Sequence, residues 1–140
     1  LLEMSTAGGT RTVMAQRFIP EIALGDKRIL LVGSEPVPKQ LVRVPADGDF
    51  RGNLAVAAAG SGAELGERER WICRQVGPAL AARGIMFAGL DVIGDYLTEI
   101  NVTSPTGIRE LDAIFSLNIS GLLMDEIESR LERPAIDLRR

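Results

Sequence analysis

The sequence predicts an α+β domain with a mainly antiparallel sheet flanked by helices. Short apolar runs follow one another across tight turns, which is the pattern of antiparallel strand pairs. One amphipathic stretch lies between these pairs, and two more follow the last of them. The chain has 140 residues, of which 46% are hydrophobic and 25% charged, and this composition is typical of one globular domain with a sizeable core.

The predicted strands are short and rich in aliphatic and β-branched residues, and they cover 12–19, 27–33, 37–44, 85–93 and 96–102. Pro20 ends the first strand, because proline has no N–H to donate to a sheet. Residues 33–36 form the turn between the second strand and the third.

Three helices are predicted, at 67–83, 108–115 and 121–131. The first has an apolar side that consists of Trp71, Ile72, Gln75, Val76, Ala79 and Leu80. Gly84 fits its C-terminal stop, and Cys73 is interpreted as a small core residue. Residues 45–66 are rich in Gly and Ala and predict a long flexible loop, and 133–140 predict a charged tail.

Composition excludes several classes of function. The net charge of −3 argues against nucleic acid or an anionic membrane as partner. Cys73 is the single cysteine, so an internal disulfide is excluded and a reducing compartment, the cytoplasm, is expected. With no histidine, catalysis or metal ligation by imidazole is excluded. No apolar run reaches membrane-spanning length, and the N-terminus does not resemble a signal peptide. Because Leu1 is not an initiator methionine, we expect a piece cut from a longer protein.

Polar side chains interrupt the apolar hairpin of the last two strands. Asp91, Glu99 and Asn101 bear oxygen donors among aliphatic neighbours, and buried carboxylates need a cation or a donor to compensate them. Mg²⁺ takes carboxylate and phosphate oxygens, so the pattern indicates a metal–nucleotide site. A three-residue turn at 94–96 would place Asp91 in line with Glu99, whereas a two-residue turn would put Asp91 on the opposite face. The alternative is that all three are solvated residues on the outer face of an edge hairpin.

Several motifs together resemble bacterial glutathione synthetases, in this order and spacing: Gly25-Asp-Lys-Arg28, Arg51-Gly-Asn-Leu-Ala55, Gln75-Val-Gly-Pro78, Gly89-Leu-Asp91, Leu97-Thr-Glu-Ile-Asn-Val-Thr-Ser-Pro-Thr106 and Ile108-Arg-Glu110. The resemblance spans about residues 12–132. It implies the ATP-grasp fold, in which two α+β subdomains clasp ATP, and it places this chain mainly in the larger, C-terminal subdomain. The implied domain boundaries are 1–132 for that portion and 133–140 for the tail.

The resemblance implies an ATP-dependent ligase that phosphorylates the cysteinyl carboxylate of γ-glutamylcysteine. The amine of glycine then displaces phosphate from the acyl phosphate to give glutathione. Mg²⁺ or Mn²⁺ would neutralise the triphosphate. The implied partners are therefore ATP, γ-glutamylcysteine and glycine, with a homo-oligomer as the assembly. Leu122, Leu123, Ile127 and Leu131 would serve either that interface or the core.

Site residues follow from the same resemblance. Asp91, Glu99 and Asn101 would hold metal, with Arg28 and Asn101 as catalytic residues. The nucleotide would contact Asp26 and the hinge strand, which consists of Gln16, Arg17, Phe18 and Ile19. Substrate would contact Arg28 and loop residues, namely Arg51, Asn53, Thr103, Ser104 and Thr106. The residues alone leave alternatives: an ordinary strand at 12–19, a surface pair of Asp26 with Arg28, and helix caps near 103–106.

Two departures from the family pattern affect the functional hypothesis. The family's loop usually carries Gly-Gly-Arg where this chain has 56–60, and Ala59 replaces the arginine. The family also holds the phosphates of ATP with lysines, and neither Lys27 nor Lys39 of this chain matches them. The 140 residues alone are therefore expected to lack catalysis. The alternatives are another ATP-grasp carboxylate–amine ligase, or a decayed homologue that acts only as a binding or oligomerisation module.

Overall fold

A computed structural model of the protein describes residues 2–45 and 61–132. In this described part of the chain, five antiparallel strands form one sheet in the order β3-β2-β1-β4-β5. In chain order the strands are β1 (Asp26–Val32), β2 (Glu35–Arg43), β3 (Ser61–Glu64), β4 (Phe87–Ile93) and β5 (Tyr96–Asn101). The helices are α1 (Leu2–Ser5), α2 (Glu67–Ala81), α3 (Ile108–Phe115) and α4 (Ile119–Glu132), with a short 3₁₀ helix at Pro20–Leu24. The α+β prediction is confirmed.

Helices cover both faces of the sheet, because the central strands are apolar on both sides. One face packs against α2 through a core of Ile29, Leu31, Leu65, Ile72, Cys73, Leu80, Ala88, Leu90 and Val92. The other face packs against α3 and α4 through Leu30, Val37, Leu41, Leu111 and Ile119. The strands β1 and β4 therefore read as nearly continuous aliphatic runs rather than as alternating ones.

The strand predicted at 12–19 is wrong: these residues have no regular secondary structure, and Ile19 caps the following 3₁₀ helix. Strand propensity needs a neighbouring backbone to complete its hydrogen bonds, and the register of the described sheet includes no partner for this stretch. The loop prediction at 45–66 is wrong at its end, where Ser61–Glu64 pair with β2 as an edge strand. Residues 46–60 and 133–140 lie outside the described part of the chain.

The helix at 108–115 has the predicted bounds, and the other two differ by a residue or two at their ends. The predicted apolar side of α2 is rotated, because Trp71 is 46% exposed and both Gln75 and Ala79 face solvent. Burial instead follows Glu69, Ile72, Cys73, Gly77 and Leu80, so the core role of Cys73 is confirmed. Burial raises the pKa of the Cys73 thiol to about 11. Among the helices of the described residues, none has the length and apolar character needed to cross a bilayer.

Candidate active site

Four buried charged residues meet on the α3–α4 face of the sheet, near the beginning of β1. Arg28 binds Asp91 through both carboxylate oxygens, from Nε to Oδ1 and from Nη2 to Oδ2, the latter at 2.8 Å. Arg43 donates through Nη2 to Oδ2 of Asp26 and lies 3.0 Å from Oδ1 of Asp91. All four residues are at most 7% exposed. Two guanidinium groups thus compensate two carboxylates, which is what burial of such charges requires.

The backbone around Arg28 leaves room for its side chain. A Cβ at Gly89 would lie 3.2 Å from Arg28 Cδ and 2.9 Å from Pro105 Cβ, so only glycine lets both approach. The third nitrogen of the guanidinium, Nη1, donates to the main-chain oxygen of Thr106 at 3.2 Å and lies 3.4 Å from its hydroxyl. Arg28 therefore links β1, β4 and the loop that precedes α3.

Burial and neighbouring charges shift the pKa values of Asp26 and Arg28 in this cluster. Burial, and next the charge of Asp91, raise the pKa of Asp26 above its usual value, and the contacts with Arg43 only partly offset this. The pKa of Arg28 is raised, because its bonds to Asp91 and the charges of Asp26 and Glu99 outweigh the desolvation of the guanidinium. Two buried atoms of the cluster, Oδ1 of Asp26 and Nε of Arg43, find no hydrogen-bond partner among the residues that the structure describes. A polar ligand that reached Asp26 Oδ1 would therefore find an acceptor free to bind it.

The strand β5 brings Glu99 to this cluster by an unexpected route. The hairpin has a two-residue turn, Gly94–Asp95, with Ile93 opposite Tyr96. The expectation that such a turn would send Asp91 to the other face is wrong, because the register shifts by one residue between Val92 and Asp91. Glu99 is therefore the cross-strand partner of Asp91, and their side chains project on the same face. Glu99 itself is exposed, which suits a group that meets a ligand from solvent.

Asn101 shapes the loop that leaves the hairpin. Its Oδ1 accepts hydrogen bonds from the main-chain N–H groups of Thr103 and Ser104, at 3.1 and 3.2 Å. Both N–H groups are thus engaged within the loop, while the two side chains are exposed. The alternative that Thr103, Ser104 or Thr106 caps α3 is wrong, since the N-cap is Gly107 and no side chain bonds there.

The donor set of Asp91, Glu99 and Asn101 is chemically suited to a hard divalent cation, since it consists of two carboxylates and an amide oxygen. Within the described ranges, however, no group of three or more His, Cys, Asp and Glu side chains forms a metal cluster. Asp91 keeps acceptor capacity on Oδ2, which accepts one hydrogen bond from Arg28, whereas its Oδ1 contacts both Arg28 and Arg43. Asn101 would have to release one N–H group before its Oδ1 could bind an ion.

The family model of the prokaryotic glutathione synthetase ATP-grasp domain matches residues 1–116. The chain belongs to the prokaryotic glutathione synthetase ATP-grasp family. It is 61% identical over 129 residues to the glutathione synthetase of Xanthomonas campestris, and 58% identical over 130 residues to that of Coxiella burnetii. These matches cover 92% and 93% of the chain but only 41% and 40% of the two relatives.

A solved structure supports the fold of this ATP-grasp domain. It is described as the ATP-grasp ligase PsnB complexed with minimal precursor, and it matches with a TM-score of 0.53 at 19% identity. The match covers 77% of this chain and 34% of that one. At this identity the likeness concerns the fold alone, and it confirms the ATP-grasp prediction.

The other residues expected to serve the ATP-grasp site do not lie on the strands of the sheet. Gln16, Arg17 and Phe18 are exposed and Ile19 is half-buried, in an irregular segment rather than a hinge strand. This segment leads to Glu21, whose side chain would lie 3.0 Å from a Cβ at Gly94, so it approaches the β4–β5 turn. Arg51, Asn53 and Ala59 lie outside the described residues.

The structure also corrects and extends the site of this family member. Asp26 and Arg28 do alternate onto one face, but they are not a surface pair, since both are buried and each binds another residue. Sequence reasoning missed Arg43, although its alternation with Leu41 and its position at the end of an apolar strand could have drawn attention to it. It also missed the register shift at Thr98, for which no sequence signal was evident.

Proposed function

We propose that the complete gene product containing these residues is a glutathione synthetase. It would join γ-glutamylcysteine and glycine at the expense of ATP, by way of an acyl phosphate, and release ADP and phosphate. The observation that carries this proposal is the convergence of Asp91, Glu99 and Asn101 beside the buried Arg28, all on one face of the sheet. The curated relatives, at 52–61% identity over nearly the whole chain, carry that name.

In this proposal, Asp91, Glu99 and Asn101 hold Mg²⁺ or Mn²⁺. The ion would supply charge neutralisation of the triphosphate during phosphoryl transfer. Asp91 is oriented for this role by Arg28 and Arg43, which fix its carboxylate from two sides. Because Glu99 is exposed, it can approach an ion without first breaking a buried contact.

Arg28 is proposed to bind the transferred phosphoryl group or the acyl phosphate. A guanidinium suits this task, because it donates to two oxygens at once and stays charged. Arg28 lies near the beginning of β1, and its contacts join Asp91, one of the proposed metal residues, to Thr106 in the loop before α3. Thr106 and its neighbours Thr103 and Ser104 offer hydroxyl groups for a substrate carboxylate.

The nucleotide is proposed to lie along the segment that precedes β1. Phe18 and Ile19 would provide apolar contacts to the adenine, and Gln16 and Arg17 would contribute main-chain hydrogen bonds. Asp26 would face the nucleotide with its free Oδ1. Arg51 and Asn53 are assigned to the peptide substrate through family resemblance. We place the reaction in the cytoplasm and in a homo-oligomer, for which the exposed Leu122 and Leu131 of α4 are candidate interface residues.

The test is phosphate release by the complete gene product with ATP, γ-glutamylcysteine, glycine and Mg²⁺. Omission of each component in turn identifies the acceptor and the donor. Glu99→Gln keeps the shape of the side chain but removes its charge, and we expect turnover to fall roughly a hundredfold or more. The control is Glu35→Gln, the same change at an exposed position at the start of β2, at the opposite end of the β1–β2 pair from the cluster, and it should keep wild-type turnover.

Three results would overturn the proposal. Wild-type-like turnover of Glu99→Gln would remove Glu99 from the metal site. Phosphate release that does not depend on γ-glutamylcysteine and glycine would point to another carboxylate–amine ligase, and binding of Mg²⁺ and ATP with no turnover would indicate a binding module. The 140-residue chain by itself is expected to release no phosphate, because the lysines that would hold the phosphates are not among its residues.

A further inference from the structure

Between the β4–β5 turn and the proposed metal residues, strand β5 has one residue more than strand β4. Val92 pairs with Leu97 and Asp91 pairs with Glu99, so Thr98 is an extra residue between two paired positions. This is a β-bulge, in which two residues of one strand oppose one of the other. The bulge lies directly between the turn and the proposed metal residues.

Without the bulge the site would not form. If the pairing continued regularly from the two-residue turn, Asp91 would face Thr98, and Glu99 would face Leu90 on the α2 side of the sheet. A shift of one residue sends every later side chain of a strand to the other face. Glu99 and Asn101 would then leave the face that carries Arg28. The extra residue at Thr98 therefore determines which side chains of β5 meet Asp91.

Contacts on the α2 side fix the turn, so the extra residue cannot move into it. The ammonium of Lys27 is held by the buried Glu69 and donates to the main-chain oxygen of Gly94 at 3.2 Å. Arg68 donates from Nε to the main-chain oxygen of Asp95 at 2.9 Å. Both residues of the turn are thus bound, and a three-residue loop would have to break these bonds.

The bulge is closed by its own side chain. The hydroxyl of Thr98 donates to the main-chain oxygen of Asp91 at 3.1 Å, and so joins the extra residue to β4 where the register shifts. We propose that Thr98 is a positioning residue of the metal site: its hydroxyl holds the bulge that sets Glu99 opposite Asp91. This inference rests on the proposed function, because it concerns how the same metal residues are kept together.

The test uses equilibrium binding of Mn²⁺ to the complete gene product with a non-hydrolysable ATP analogue, followed by electron paramagnetic resonance of the free ion. Thr98→Val keeps the β-branched shape and the strand propensity but removes the hydroxyl. Thr98→Ser restores the hydroxyl with a smaller side chain. Tyr96→Phe is the matched control, since it removes a hydroxyl from the same strand, at an exposed position away from the bulge.

We expect Thr98→Val to raise the dissociation constant of Mn²⁺ about fivefold, the effect of losing one hydrogen bond that orients a ligand pair. Thr98→Ser and Tyr96→Phe should both stay close to wild type. In steady-state kinetics, Thr98→Val should raise the Mg²⁺ concentration needed for half-maximal rate, with little loss of kcat at saturating Mg²⁺. A variant that was merely less stable would not show this split.

The outcomes separate this inference from the proposed function. If the wild type binds Mn²⁺ and Thr98→Val binds it equally well, or if Thr98→Ser is as weak as Thr98→Val, the positioning role is overturned. If the wild type itself does not bind Mn²⁺ with the nucleotide analogue, the proposed function fails and the positioning role fails with it. If Thr98→Val does not fold, Thr98→Ala takes its place. Failure of both to fold would assign the hydroxyl to the stability of the hairpin alone and overturn the inference.

Discussion

Replacement of Arg43 by methionine tests whether Arg43 compensates the buried carboxylates of Asp26 and Asp91, as the structure indicates. The change keeps most of the aliphatic stem and removes the guanidinium. Asp26 loses the donor that binds its Oδ2, and Asp91 loses the one 3.0 Å from its Oδ1. Arg28 then remains to compensate both carboxylates of the cluster, and each of them is buried.

The expected loss of stability follows from these two contacts. Breaking a buried ion pair from one side costs about 3–5 kcal/mol, and a hydrogen bond to a charged group contributes roughly 1.5–3 kcal/mol. Because Arg28 still binds Asp91, we expect the lower end, about 3 kcal/mol. For a chain of this length that corresponds to a melting temperature lower by roughly 10 °C. Urea unfolding of the 140-residue protein at neutral pH, followed by circular dichroism, measures the difference.

Two further variants test the reasoning behind this number. Asp26→Asn combined with Arg43→Met removes the uncompensated carboxylate together with its partner, so we expect at least half of the lost stability to return. Arg43→Lys keeps the charge but not the forked geometry of the guanidinium, and its stability should lie between that of wild type and that of Arg43→Met. A stability of Arg43→Met within about 0.5 kcal/mol of wild type would refute the view that Arg43 compensates the cluster.

The remaining predictions concern the sheet and α2. The contact with Lys27 lowers the pKa of Glu69 despite its burial, so the folded state is stabilised above the ordinary Glu pKa of 4.5, and this stabilisation is lost as pH falls through the lowered pKa. Glu69→Gln should therefore lower the free energy of unfolding at pH 7 by about 2 kcal/mol, with a lower melting temperature, and this loss of stability relative to wild type should shrink in acid. The same loss of stability at every pH would contradict this. Gly77→Ala should destabilise the protein by roughly 2 kcal/mol, since its Cβ would overlap the main-chain oxygen of Ser34. Gln75→Ala, on the exposed side of α2, is its control in the same denaturation series, and equal stability of the two would refute the overlap.

The pH dependence of the cluster has the opposite sign from that of Glu69. Asp26 has a raised pKa in the folded state, so it binds a proton there at pH values where the unfolded chain has already released one. Its contribution to stability therefore falls as pH rises from its ordinary value of 3.8 through its raised pKa. The two acidic groups thus respond oppositely to pH, because Glu69 gains a partner on burial whereas desolvation dominates at Asp26.

The local sequence pattern was sufficient to predict those elements whose apolar residues follow the spacing of a strand or a helix. The aliphatic runs of β1 and β4 predict strands, and the spacing at 108–115 predicts α3, because periodicity depends only on neighbours in sequence. The short edge strand β3 escaped prediction: Ser61–Glu64 carries no apolar alternation and becomes a strand only because β2 offers a free backbone edge. The failed strand at 12–19 shows the converse, since suitable residues without a paired edge stay irregular.

The sequence by itself determined the family, the kinds of residue at the site and the order in which they occur, because these depend on the identity of side chains and their spacing. Tertiary structure alone decided how they meet. The bulge at Thr98 sets Glu99 opposite Asp91, and Arg43 joins Asp26 and Asp91 from a different strand. Both features depend on the register between strands, and register is fixed by cross-strand hydrogen bonds and by the packing of α2 on the turn, which no single stretch of sequence contains.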